Sequence, residues 1–168
     1  MPMAKAPADR TLLTTATRWF ATQGWKPQIF QRDAWKAYLQ GAQGLLTAPT
    51  GMGKTYALLV PILLEALREG DGTKAKRGLR AIWIAPIRAL TKEIELSAWQ
   101  AIAGLGLDWT VGVRTGDTSA NERTKQKKAM PEILITTPES LHVLLSQKGG
   151  AALFERLRCV VVDEWHEL

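Results

Sequence analysis

Gly51, Gly53, Lys54 and Thr55, inside the stretch TAPTGMGKT, are residue types suited to holding a chain of phosphates. The glycines let the backbone turn so that successive N–H groups face inward. A helix starting near Gly53 or Lys54 adds its positive end, and together these form a cradle for phosphate oxygens. Thr50 completes the loop, Lys54 is placed to reach the β- and γ-phosphates as a cation, and the Thr55 hydroxyl is a ligand for Mg²⁺. The strict G-x-x-x-x-G-K-[ST] spacing wants glycine at position 48, where this chain has Ala48.

Such a loop needs a second half, because Mg²⁺ wants another carboxylate and an attacking water wants a base. The stretch RCVVVDEWHEL supplies both: Asp163 ends an apolar run and Glu164 follows directly. If that run is a strand of a parallel sheet, its C-terminal end faces the crevice where ligands bind. Asp163 can then hold Mg²⁺ while Glu164 polarises water. Alone, an Asp-Glu pair after a strand is equally a solvated strand exit; Lys54 upstream is what turns it into chemistry.

The elements around these residues must position them. Residues 9–22 carry Leu12, Leu13, Ala16, Trp19 and Phe20 at helical spacing, and residues 31–40 carry Ala34, Trp35, Tyr38 and Leu39. Pro27 separates the two by disfavouring helix at Lys26. Short apolar runs then alternate with helical stretches. Strands are expected at 44–47, 80–85, 109–114, 132–136 and 159–163, and helices at 54–69, 87–103, 119–129 and 138–147. Strands apolar on both faces with helices between them imply an α/β doubly wound fold, a parallel sheet covered on both sides. Pro61 should kink the 54–69 helix by removing its bond to Ala57. The expected organisation is an N-terminal helical segment over 1–43 and an α/β domain over 44–168.

Composition narrows the class. With 168 residues, 46% hydrophobic and 23% charged, the chain reads as globular and large enough for a core. No run approaches the roughly 18 apolar residues of a membrane span, and MPMAKAPADR lacks the apolar centre of a signal peptide, so no membrane partner and a cytoplasmic location are expected. The single cysteine, Cys159, cannot form an internal disulfide and reads as a buried strand thiol. A net charge of +6 permits a polyanionic partner without requiring one. The clusters KAKRGLR (Lys74, Lys76, Arg77, Arg80) and ERTKQKK (Arg123, Lys125, Lys127, Lys128) each read first as a solvated loop or helix face.

The motifs resemble those of superfamily 2 helicases. APTGMGKT and DEWH are similar to motifs I and II, FQRDAW to the Q motif, APIRAL to motif Ia, RTGDT to motif Ib, and TTPESL to the motif after it, all in family order. More narrowly, DEWHEL, PIRAL and GWKPQIFQRDAW resemble the Lhr-type DEXH-box helicases, including the form associated with DNA ligase in repair. The resemblance implies a RecA-like P-loop domain. It implies an ATP-driven 3′–5′ translocase on single-stranded nucleic acid, DNA or DNA–RNA hybrids, with a ligase or nuclease as repair partner.

By position, the resemblance gives Gln31 the adenine edge, and Thr50, Gly51, Gly53, Lys54 and Thr55 the phosphates of ATP. Thr55 and Asp163 take Mg²⁺, Glu164 takes water, and His166 couples the nucleotide site to motif III, unless it is only an exposed residue. Backbone phosphates fall to Pro86, Arg88, Thr115, Gly116, Thr137, Pro138, Glu139 and Ser140, which predicts salt-sensitive, sequence-tolerant binding. Trp25 is the expected stacking face for adenine, most other tryptophans are expected in the core, and His142 reads as a packing or surface residue.

In the family, motif III and a second RecA-like domain follow motif II, and here only Trp165 to Leu168 follow Glu164. The expectation is therefore an N-terminal portion that lacks the motif III strand between the strands of motifs I and II, leaving unpaired sheet edges. It also lacks the arginine finger, a contribution on the order of 10³–10⁵ in rate, and should be nearly inactive alone. A catalytically inactive ATP and nucleic-acid binding module is the alternative. A small kinase or GTPase would need a substrate lid or base-specificity motif that the sequence does not contain.

Overall fold

A computed structural model of the chain describes residues 7–49, 51–70, 78–86, 88–147 and 149–165. The chain forms two compact units: Met1–Ala75 with Gln100–Asp108, and Lys76–Trp99 with Trp109–Leu168.

The first unit is helical. Helix α1 (Asp9–Thr22) buries Leu12, Ala16, Trp19 and Phe20, the single stripe that a 3.6-residue period produces. Helix α2 (Ile29–Leu39) buries Gln31, Trp35 and Leu39 at four-residue spacing. It begins two residues before the expected start because Gln28 and Gln31 form a reciprocal capping box that satisfies backbone donors at its N-terminus. Helix α3 (Lys54–Glu69) runs through Pro61 and ends on Gly70 in the left-handed conformation. Its middle, Leu59 to Leu64, is buried on every side, so packing outweighs the helix-breaking tendency of Pro61. Arg68 ties the three helices together, donating to Asp9 Oδ1 at 3.2 Å and to the terminal carbonyl of α2 at Leu39, 2.9 Å. Tyr38 donates to Glu65 Oε2 at 2.8 Å beside it.

The second unit carries the sheet: β1 (Ala81–Ile84), β2 (Val111–Arg114), β3 (Ile133–Thr136) and β4 (Cys159–Val162), in the order β2-β3-β1-β4 and all parallel. Helix α4 (Arg88–Gly104) follows β1, α5 (Ala120–Lys128) follows β2, and α6 (Pro138–Leu145) follows β3, with a 3₁₀ turn at Gly150–Phe154 before β4. The last turn of α4 belongs to the first unit. Strand β3 is buried at every position, as a parallel strand covered on both faces must be. On one face Leu79, Ile82 and Leu134 pack with Leu144 of α6, and Leu153, Phe154 and Leu157 close the cluster.

Two expectations change. The stretch 44–47 is not a strand: among the described residues no ladder pairs with it, Leu45 is exposed, and an extended segment without a partner is not a sheet element. Cys159 is half-buried rather than buried, because β4 is an edge strand and also exposes Val160 and Val162. Arg80 of the first basic cluster is buried at the foot of β1; Lys74, Lys76 and Arg77 lie outside the described residues. Lys125, Lys127 and Lys128 are exposed on α5 as expected of a solvated face.

Candidate functional site

In the first unit the phosphate-loop sequence leads into α3. Gly51 and Gly53 both take positive φ, 80° and 84°, a region that a side chain makes costly. Gly53 is the N-cap of α3 and no side chain caps the helix. Gly53 has no side chain to cap with, and the positive end of a 16-residue helix starts there, an arrangement suited to an anion. Lys54 and Thr55 are half-buried in its first turn. Thr50 lies outside the described residues.

Gln31 sits where the core stripe of α2 asks for an apolar residue, and at 3% exposure its amide must be bonded within the protein. Its Oε1 accepts from the Gln28 N–H at 2.8 Å and its Nε2 donates to the Gly53 carbonyl at 2.9 Å. One donor position and one acceptor lone pair remain uncommitted by these bonds. The Q motif and the phosphate loop are thus brought together. Trp25 is 39% exposed and leans on Tyr56, with ring centroids 5.2 Å apart. It belongs to an aromatic cluster with Trp19 and Phe20. The Tyr56 carbonyl accepts from Trp35 Nε1 at 3.1 Å, so the start of α3 is fixed from two sides.

In the second unit, Pro86, Thr115, Thr137 and Asp163 each follow the C-terminal end of a strand. The registers Ile84 with Thr136, Arg114 with Thr136 and Ile84 with Val162 line them along one edge, the edge where open α/β sheets bind ligands. Asp163 is half-buried. Its Oδ1 accepts the Glu164 N–H at 3.0 Å and its Oδ2 accepts the Trp83 indole N–H at 3.2 Å. A carboxylate has about four acceptor positions, so two remain for a hard cation or its waters; the donor chemistry fits Mg²⁺. Glu164 has φ of +44°, a rare conformation for a residue with a side chain. His166 lies outside the described residues.

The candidate backbone-contact residues divide. Gly116 and Glu139 are exposed, Pro86 and Pro138 half-buried, and Thr115, Thr137 and Ser140 buried. Arg88 begins α4, but its side chain lies outside the described residues. Thr137 and Ser140 are used internally: the Thr137 hydroxyl caps α6 by accepting the Ser140 N–H at 3.4 Å, and donates to Ser140 Oγ at 3.2 Å. RTGDT is a closed turn in which Thr118 N–H donates to the Thr115 carbonyl and Thr115 N–H donates to Thr118 Oγ1 at 2.8 Å. His142 is exposed, as expected.

Sequence reasoning missed Trp83 and Arg123. Arg123, counted within a basic cluster, reaches back from α5 with Nη2 to the Thr115 and Gly116 carbonyls at 3.1 and 3.0 Å. Burial, then the neighbouring Arg123 charge, holds the Arg114 guanidinium below its ordinary value. No residue-type pattern announced either role; the register that sets Trp83 beside Asp163 joins two strands far apart in the chain.

The sequence profile of the DEAD/DEAH box helicase family matches residues 28–168. The Lhr helicase/uracil glycosylase of Escherichia coli is 34% identical across 98% of this chain, which spans 12% of that protein. The ATP-dependent helicase Lhr-Core of Methanothermobacter thermautotrophicus is 38% identical across 82% of this chain, which spans 17% of it. Among solved structures, the Mycobacterium smegmatis helicase Lhr bound to ssDNA and AMP-PNP superposes with a TM-score of 0.76 at 32% identity, covering 99% of this chain and 21% of that one. The parallel sheet with its helices is therefore a RecA-like helicase core. The chain spans about a fifth or less of the length of each of these relatives.

Proposed function

Because the chain belongs to the DEAD/DEAH box helicase family, we propose that it is the ATP-binding portion of an Lhr-type helicase that couples ATP hydrolysis to movement along single-stranded nucleic acid, DNA in preference to RNA. On this reading residues 1–43 are a helical segment bearing the Q motif, and 44–168 the first RecA-like domain. The observation that carries it is the start of α3: Gly51 and Gly53 at positive φ lead into the positive end of a 16-residue helix with Lys54 as its first residue.

The residues take these roles. The amides after Gly51 and Gly53 hold phosphate oxygens, Lys54 balances their charge, and Gln31 offers its remaining donor and acceptor to the adenine edge while keeping its hold on Gly53. Trp25, partly exposed against Tyr56, offers a stacking surface. Thr55 and Asp163 would hold Mg²⁺, which when bound neutralises charge on the phosphates. Glu164 orients and deprotonates the attacking water, and His166 transmits the state of the nucleotide. The C-terminal edge of the sheet, with Gly116, Pro86, Arg88 and the TPES turn, meets the sugar–phosphate backbone and fixes position without reading bases. No described helix is long and apolar enough to cross a membrane. A repair role beside a DNA ligase or nuclease, in the cytoplasm, is part of this proposal and is checked by co-purification with such enzymes.

The test is ATP hydrolysis by the full-length protein with and without single-stranded DNA. Stimulation by single strands and a loss of about a hundredfold or more in Lys54→Ala are expected. Lys54-dependent nucleotide binding without hydrolysis would instead make this a binding module.

A further inference from the structure

Asp163 is not left to choose its own rotamer, and the group that holds it comes from the centre of the sheet. Trp83 is the third residue of β1, which lies between β3 and β4, and is 1% exposed. Its register partner on β4 is Val161. Side chains alternate along a strand, so Val161 and Asp163 point to the same face, and two residues advance the strand by roughly 6.6 Å, a distance an indole can bridge. The indole N–H, cut off from water, must find an acceptor, and Asp163 Oδ2 at 3.2 Å is that acceptor. The backbone fixes the other oxygen: the Asp163 N–H donates to the Ile84 carbonyl at 2.9 Å, and the Glu164 N–H turns back onto Oδ1 at 3.0 Å. That last bond accompanies the positive φ of Glu164.

We propose that Trp83 is a positioning residue for the motif II carboxylate: its indole N–H fixes the orientation of Asp163 and thereby sets the affinity of the nucleotide site for its divalent cation. The proposal rests on the reading of Asp163 as the metal ligand. Two N–H donors, one on each oxygen, remove the rotation of the carboxyl group and leave one acceptor position per oxygen facing away from those donors. A carboxylate held in this way meets a cation without first ordering itself. Partners of this kind are worth about 10- to 100-fold in metal affinity. Phenylalanine at position 83 would keep most of the packing and lose the donor. Tyrosine would keep a donor at the far end of its ring.

The experiment measures binding of a fluorescent ATP analogue to the full-length protein as Mg²⁺ is titrated, with thermal denaturation recorded for each variant. Trp83→Phe should raise the half-saturating Mg²⁺ about tenfold or more, and Trp83→Tyr should recover part of the shift. Binding at saturating Mg²⁺ should be unchanged in both. If Trp83→Phe does not fold, Trp83→benzothienylalanine keeps the two-ring shape, replaces N–H by sulfur, and should show the same shift. A shift below about twofold in a folded variant, or equal shifts in the Phe and Tyr variants, overturns the proposal in favour of ring packing alone. Asp163→Ala separates the two readings: if it leaves the Mg²⁺ dependence untouched, the metal assignment of Asp163 fails, whatever Trp83 does.

Discussion

Gln31 and Gly53, 22 residues apart, are joined by a 2.9 Å hydrogen bond from the glutamine Nε2 to the glycine carbonyl. The bond makes the glutamine part of the phosphate loop's own support, so a base that engages Gln31 acts on a side chain already in contact with the loop. It also crowds position 53: a Cβ there would lie 2.6 Å from Gln31 Nε2, on a backbone with φ of +84°.

Gly53→Ala should therefore cost more than Gly51→Ala. Both introduce a side chain at positive φ, an effect of about 1–3 kcal/mol, but a Cβ on Gly51 meets nothing within 4 Å. Only the Gly53 variant must also displace Gln31. Equilibrium denaturation of the two variants, together with the affinity for a fluorescent ATP analogue, checks the order. Equal losses would mean that the contact with Gln31 yields freely.

Gly104→Ala should be among the most damaging substitutions in the first unit. A Cβ there would run into the indole of Trp19, which is 4% exposed and packed edge-on against Phe20 and Tyr56. Overpacking of this kind costs about 1–3 kcal/mol or more, and a lowered denaturant midpoint is the readout. An unchanged midpoint would show that α1 can shift to make room.

Arg123→Ala should weaken nucleic-acid binding through the motif Ib turn without removing any residue at its tip. The guanidinium holds the carbonyls of Thr115 and Gly116, bonds from a charged donor worth about 1.5–3 kcal/mol in such settings. Because Arg123 also crowds the buried Arg114, its removal relieves part of the cost of that second charge, so stability should fall by less than the bonds alone suggest. Single-strand affinity measured over a salt series should drop with little change in slope, since Arg123 is placed as an internal tie. A slope reduced by about one charge would mean that Arg123 itself meets a phosphate.

Helices and buried strands were legible in the sequence because their periods are set locally: the helices at 9–22 and 54–69 match the structure to the residue, and β1 to β4 fall inside the expected runs. The segment 44–47 was misread because an apolar run states only that a strand is possible, and whether a ladder exists depends on a partner far away in the chain. The glycine-lysine-threonine stretch and the Asp163-Glu164 pair stand out in the sequence as candidates because their residue types sit side by side. Trp83 and Arg123 do not, since each acts through a bond across 80 or about 8 residues that no spacing rule encodes. The resemblance of TTPESL to a family motif assigns Thr137 and Ser140 to the nucleic-acid backbone; the structure shows in addition that the Thr137 hydroxyl caps α6 by accepting the Ser140 N–H, a use the motif does not announce.

Glu164 offers a separation of backbone strain from side-chain chemistry. Its φ of +44° lies where a Cβ crowds the backbone, a cost of about 1–2 kcal/mol that glycine avoids. Replacing it by alanine and by glycine removes the same carboxylate, so ATP hydrolysis should be lost in both, while stability should diverge. Glu164→Gly should be the more stable of the two by about 1 kcal/mol, although glycine ordinarily costs entropy on folding. The comparison needs thermal denaturation of the two variants and hydrolysis assays on the full-length protein. If alanine is as stable as glycine, the left-handed turn is not strained, and the bond from the Glu164 N–H to Asp163 Oδ1 is enough to hold any residue there. If glycine wins while hydrolysis is lost in both, the strained turn is retained for what the glutamate does at that position and not for folding.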